Sequence, residues 1–328
     1  MIKIKNTITQ LFISAAVLAV LSTPSVGNAK EFVKIATGNV GGTYYPVGVA
    51  MGKLFSDKLP NVLSSAMSTG GSVDNIGLLR SQEAQIAILS AKVTHDAYNG
   101  ADQFESKPFN KLRAITGMWP SLQHVVVSRS IKSFDDLKGK KFVVGAARSG
   151  TEVDAHAVLT AANLFYRKED GAQLNIEPVY VNYGEAVDLM KNEQVAGGLF
   201  DAAPPGAAIS ELLASGDFHI LQPSAEHSSK LIEANPLYSN YVVKAGTYPN
   251  QENDLTLSGY PAVLVTSTDV SEELAYALTK TLFTSLPRMH KAHKATQFIH
   301  PDTAMKGISI EFHPGVVKYF NEQKTASQ

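Results

Sequence analysis

Two long extended runs, ITGMWPSLQHVVVS at 115–128 and YPAVLVTS at 260–267, bracket a stretch that repeats the strand–helix rhythm of the segment before it. Before the first run, residues 32–36 alternate as a short strand that breaks at Gly38. Val47, Ala50, Met51, Leu54 and Phe55 then fall on one face of a helix. VLSSAMS (62–68) reads as a strand, 73–80 as a helix, QIAIL (85–89) as a buried strand, and the chain up to Tyr98 as a helix stopped by Asn99-Gly100. That β-α-β-α-β order is the pattern of a parallel sheet covered by helices. Between the two runs the rhythm restarts: strand 141–147, helix 151–164, strand 175–181, helix 185–191, strand 195–202, helix 207–214 and a short strand 218–221. A helix from about Glu272 to Lys294 follows the second run. Such a chain builds one α/β lobe, crosses to build a second, and returns. The expected lobes are 30–122 with 260–328, and 123–259, facing each other across a cleft where ligands bind at the carboxyl ends of the strands.

The amino terminus reads separately. Lys3 and Lys5 precede an apolar core, LFISAAVLAVL at 11–21, which is too short to span a bilayer. Gly27-Asn28-Ala29 then offers small residues at a cleavage site. The segment 1–29 is expected to be a signal peptide, with the mature, exported chain starting at Lys30 and the periplasm as its destination. An uncleaved anchor is the alternative. Loss of Lys3 and Lys5 takes the net charge from −1 to −3, and no basic patch suggests a nucleic-acid surface. The sequence has no Cys, which excludes disulfides, thiolate catalysis and Cys-type zinc sites.

Three loops at expected strand ends share a chemistry. They are Gly41-Gly42-Thr43-Tyr44-Tyr45, TGGSVDN (69–75) with Ser72 and Asn75, and Arg148-Ser149-Gly150-Thr151. Each sets backbone N–H groups and hydroxyls at a helix N-terminus, where an anion is stabilised. A capped helix without a ligand explains any one of them; three on two lobes favour a shared anion site. The glycine spacing excludes nucleotide motifs. No lysine follows Gly42 as a P-loop requires, and Gly38, Gly41 and Gly42 give G-x-x-G-G instead of G-x-G-x-x-G.

Signals for catalysis or metal are weaker. G-x-S-x-G and H-E-x-x-H are both absent. His290, His293 and His300 are read as a solvated helix face in preference to a metal set. His124, beside Gln123, is a cleft candidate or a satisfied structural histidine. Asp201 closes a strand of the second unit, where it caps the next helix or accepts from a ligand amine.

With these residues in view, the chain resembles the TAXI group of TRAP-transporter solute-binding proteins. The segments that carry the likeness are TGNVGGTYYPVGVAMGKL, STGGSVDNIGLL, GMWPSLQHVVV, FDDLKGKKFVVGAARSGTEVDA and LSGYPAVLVTS, in that order from Phe32 to about Phe320. The resemblance implies a bilobal periplasmic-binding-protein-like fold (type II), two α/β lobes joined by two crossover strands. It implies a monomeric receptor without cofactor or catalysis, one that closes on a small carboxylate and hands it to a membrane permease, usually sodium-driven. The implied ligands are glutamate-like amino acids or C4–C5 dicarboxylates such as 2-oxoglutarate. Carried over by position, the implied ligand-binding residues are Gly42, Thr43, Tyr44, Tyr45, Ser72, Asn75, Arg148, Ser149, Gly150, Thr151, Asp201 and Ala202, with Ser90, Lys92 and His124 as further candidates. Arg148 is the expected charge partner of the carboxylate, with an ion pair to Glu152 as its alternative. One departure stands out. Leu89-Ser90-Ala91-Lys92 replaces a Gln-Ser-Asp-like run, and a lysine there favours a dicarboxylate over an amine-bearing ligand unless Lys92 points to water. A sensor subunit, or less readily a secreted enzyme on the same scaffold, is the competing reading.

Overall fold

The computed structural model describes residues 30–326, so the expected signal peptide at 1–29 lies outside the described residues. The first unit builds β1 (Glu31–Ala36), α1 (Tyr44–Lys58), β2 (Val62–Met67), α2 (Ser72–Arg80), β3 (Ile86–Ser90) and α3 (Ala91–Asn99). β1 pairs in parallel with both β2 and β3, as the alternating strand and helix patterns require. The chain then crosses on β4 (Leu112–Ser128). The second unit contains β5 (Lys141–Val143), α4 (Gly150–Ala161), β6 (Glu177–Val179), α5 (Tyr183–Lys191), β7 (Gly197–Ala202), α6 (Ala207–Ala214) and β8 (Phe218–Ile220). It ends with α7 (Ala225–Ala234) and β9 (Ser239–Val243), before the return on β10 (Leu255–Ser267). Helices α8 (Glu272–Thr284), α9 (Leu286–Ala292) and α10 (Pro314–Ala326) close the chain. The architecture is the expected bilobal α/β fold.

The two crossing strands do more than connect. The hydrogen-bonded strand order is β2-β1-β3-β10-β4-β7-β5-β6, so both run through the middle of one continuous sheet. β10 pairs antiparallel with β3 over Ala262–Thr266, whereas its first half pairs with β9. β4 hands over in the same way, reaching β7 from Leu122 onward. At the crossing point Pro120 lies opposite Pro261, and the register shifts between Pro261 and Val263. Neither proline has an N–H to donate, so the ladder is thinnest where the two units meet, the place where bending disturbs the fewest hydrogen bonds.

Three apolar cores follow from this sheet. Val47, Met51, Leu54 and Phe55 of α1 pack with Leu278, Leu282 and Met289 on one face of the first unit. Ile76 and Leu79 of α2 belong to a core that continues across the crossing strands to Leu159 of α4. Val187, Met190, Ile209 and Leu212 cover the remaining face of the second unit. The carboxyl-terminal segment folds back onto the first unit: His313 N–H donates to Ala114 O at 3.0 Å, and Phe283 rings meet Tyr319 and Phe320.

Candidate functional site

The glycine turn at 38–42 leads into α1 with Thr43 at the cap position, but the Thr43 hydroxyl does not cap the helix. It accepts instead from Ala203 N–H, 3.2 Å away across the cleft. Helix α2 begins after Gly71, whose φ of +119° suits glycine and which has no side chain to cap with. Both helices therefore present first-turn N–H groups without a side-chain partner. Helix α4 differs, because Ser149 Oγ accepts from Glu152 N–H at 3.0 Å and caps it. The three helix starts meet around one cavity of about 40 Å³, lined by Gly42, Thr43, Tyr44, Gly71, Ser72, Ser149, Gly150, Thr151, Tyr183 and Asp201 among others.

The lobes touch around this cavity. Asp74 N–H donates to Arg148 O at 3.2 Å. A Cβ on Gly150 would stand 2.8 Å from Ser72 Oγ, so only glycine allows α4 to approach α2 this closely. Tyr183 packs on the glycine turn, its Cε2 3.4 Å from where a Gly42 Cβ would be. Its hydroxyl accepts from Asp201 N–H at 2.8 Å and lies 2.8 Å from Thr151 Oγ1. Sequence reasoning missed Tyr183. It opens α5 after Asn182, whose Oδ1 accepts from Glu185 N–H, and that cap was the available signal for a helix end near the cleft.

Asp201 is the one charged residue among the described residues that line the cavity. Its Oδ1 is buried without a hydrogen-bond partner, as is the Tyr44 hydroxyl. Burial pushes the Asp201 carboxyl up to about 6. Asp154 stands next to it and is also pushed well up, by burial and by the Asp201 charge, while Tyr238 donates to its Oδ1 at 2.7 Å and Tyr260 to its Oδ2. Burial likewise raises the Tyr44 hydroxyl far above its usual range, helped by Asp201.

Several expected site residues lie elsewhere. Lys92, on the first turn of α3, is held by Asp96 at 2.7 Å and by Asp102. Burial works against its charge, but those two carboxylates overcome it and raise its pKa. Lys92 therefore neither points to open water nor reaches a ligand, and the dicarboxylate argument built on it falls. Arg148 is exposed, with φ of +62°, and its Nη2 lies over Gly77 of α2, 3.6 Å from where that residue's Cβ would be. It does not line the cavity. Nor does it pair with Glu152, which binds Arg167 instead.

His124 is fully buried. Its Nδ1 faces Leu122 O at 2.8 Å and its Nε2 the Tyr248 hydroxyl at 2.9 Å, which in turn accepts from Gly206 N–H. Desolvation lowers its pKa to about 4, so this is a neutral, structural histidine. Asn75 braces the site from behind: its Nδ2 donates to Thr37 O and Ile88 O, and its Oδ1 accepts from Thr69 Oγ1. Ser90 caps α3 through Val93 N–H and donates its own N–H to Ser72 Oγ. Tyr45 and Ala202 flank the cavity residues without lining it. His293 accepts from Ala295 N–H as a helix cap, and among the described residues no three His, Asp or Glu side chains gather as a metal set.

Comparison with known proteins follows the same lines. The model of the NMT1-like family matches residues 35–323. A solved structure from Bordetella bronchiseptica RB50 is similar with a TM-score of 0.52 at 16% identity, covering 89% of each chain, and shares the fold. The periplasmic aliphatic sulphonate binding protein SsuA from Escherichia coli gives a TM-score of 0.48 at 14% identity, over 89% of this chain and 79% of that one. The substrate binding protein of an amino acid ABC transporter gives 0.48 at 13% identity, over 81% and 97%.

Proposed function

The chain belongs to the NMT1-like family, and on that premise we propose that it is a periplasmic solute-binding receptor that captures a small organic carboxylate for a membrane permease. The observation that carries this reading is the meeting of two helix starts without side-chain caps, those of α1 and α2, with the Ser72 and Thr151 hydroxyls on one cavity between the lobes. Each helix start carries roughly half a positive charge. With Asp74 N–H taken by Arg148 O and no N–H on Pro46, the donors left to each are those of its first two residues, which suit a carboxylate and need no lysine. The lobe boundaries 30–122 with 260–328, and 123–259, are part of the proposal, and so is export directed by residues 1–29. The TAXI type of TRAP transporter is the system proposed, on the strength of the glycine-turn and GSVDN motifs. Binding without turnover is the activity proposed. The base candidate His124 is packed away from the cavity with both ring nitrogens occupied, which supports a receptor over an enzyme.

A thermal-shift screen of the chain against C4–C5 carboxylates tests the reading, since a ligand of the folded state raises the melting temperature by mass action. At least one carboxylate is expected to give a saturable rise. No rise with any member overturns it.

A further inference from the structure

Resting on that carboxylate reading, the cavity also says what else its ligand must carry. We infer that the far wall of the cavity, Asp201 with Tyr44 and Ser121 behind it, is a cation subsite, so that the ligand joins one carboxylate to one ammonium-type group and carries no second carboxylate.

Three observations support this. The first is the set of unmet polar groups. Asp201 Oδ1 and the Tyr44 hydroxyl, both from cavity-lining residues, have no hydrogen-bond partner. Ser121 is 0% exposed and stands beside both of them, and its one O–H can serve only one of the two at a time. Trp119, also 0% exposed and edge-on to Tyr44 at 6.0 Å, leaves its indole N–H unpaired. Buried polar groups are paired with few exceptions, and three unmet groups on neighbouring side chains mark a place where a ligand supplies the partners. Register explains why they adjoin. Ser121 lies opposite Tyr260 across β4 and β10, and Gln123 lies opposite Asp201 across β4 and β7, while Tyr44 reaches them from the start of α1 against Trp119.

The second observation is charge. Two helix starts supply about one positive charge together, part of it already offset by the Asp74 carboxylate in the first turn of α2, which leaves at most one carboxylate matched. A second carboxylate would meet Asp201 and Asp154 with no cation to offset it. Lys92 is spent on Asp96 and Asp102, and Arg148 lies over Gly77 outside the cavity. Burying that uncompensated charge is costly, whereas an ammonium group on Asp201 pairs a carboxylate that otherwise has no partner.

The third is that Asp154 is already satisfied by Tyr238 and Tyr260, which leaves Asp201 as the acceptor facing the ligand. Both carboxyls sit where burial disfavours charge, so a cation arriving at Asp201 relieves an existing penalty.

The test compares four C5 probes that differ only in their charged groups: glutarate, pentanoate, 2-aminopentanoate and 5-aminopentanoate, titrated calorimetrically into the wild-type chain and Asp201→Asn. At least one aminated probe is expected to bind tenfold or more tightly than glutarate and pentanoate, and Asp201→Asn is expected to erase that advantage. Tighter binding of glutarate than of either aminated probe overturns the cation subsite and leaves the carboxylate reading standing. An amine advantage that survives in Asp201→Asn also overturns it. Failure of all four probes overturns the carboxylate reading and this inference with it. A loss of pentanoate binding in Asp201→Asn counts against the subsite, because it makes the residue a support for the carboxylate end.

Discussion

Asp201 and His124 lie one strand apart and are buried for opposite purposes. Asp201 is a carboxyl that burial pushes up to about 6, so its charged form costs the ligand-free protein on the order of 1–3 kcal/mol above that pH and nothing below its unfolded value near 4. His124 is held neutral with a pKa of about 4, so its contribution is intact above pH 6.5 and is lost as the pH falls toward 4, because the unfolded chain takes up the proton first. Between pH 6 and 4 the two effects oppose each other. Asp201→Asn is therefore expected to melt at a higher temperature than the wild type at pH 7, with the gap narrowing on acidification to pH 4. Melting curves across that range check it, and a variant less stable than wild type at pH 7 would show the carboxylate to be structural. A second pair of substitutions separates the two hydroxyl and guanidinium candidates. Thr43→Ala removes the hydrogen bond to Ala203 and is expected to weaken ligand binding several-fold, in line with about 1 kcal/mol for such a bond. Arg148→Ala, whose side chain lies outside the cavity, is expected to leave affinity within twofold, as measured by the same titration.

At the scale of elements, the glycine at the start of α4 matters more than any charged group beside it. Gly150→Ala would place a methyl 2.8 Å from Ser72 Oγ, so it is expected to hold the lobes apart and weaken carboxylate binding tenfold or more, with the melting temperature of the ligand-free chain little changed. Affinity equal to wild type would show that α2 and α4 need not approach. Much of this level was legible beforehand. The helix face Val47, Met51, Leu54 and Phe55 and the glycine turn before it come directly from periodicity and turn chemistry. Other parts were not. The expected strand 141–147 stops at Val143, because Gly145 takes φ of +95° to turn the chain toward α4. The expected helix 272–294 breaks at Ser285, since Pro287 has no N–H to continue it and starts α9 instead. Helices α7 and α10 and strand β9 went unread, although Val316, Tyr319 and Phe320 of α10 fall at i, i+3 and i+4 and pack in the core of the first unit, a helical signal that was present in the sequence.

For the whole molecule, the two crossing strands set what the site can do. Strand pairing joins the lobes through β4 and β10, and the opposed Pro120 and Pro261 thin the ladder at the crossing. Opening and closing about that point would bring the α1 and α2 starts of one lobe against Ser149, Gly150, Thr151 and Tyr183 of the other. The sequence signalled the three loops that meet, but not the tertiary commitments that remove Lys92 and Arg148 from the site. Those depend on Asp96, Asp102 and Gly77, which no local pattern connects to a cleft. The molecule's single tryptophan, Trp119, sits at this crossing with its ring against the cavity-lining Tyr44. Its fluorescence therefore reads the cleft directly. Titration with the C4–C5 carboxylates is predicted to change that emission saturably, with a dissociation constant on the order of 1 μM or below for the best of them. Emission that stays flat across the whole series, in a chain that melts cooperatively, would contradict a carboxylate held between the lobes.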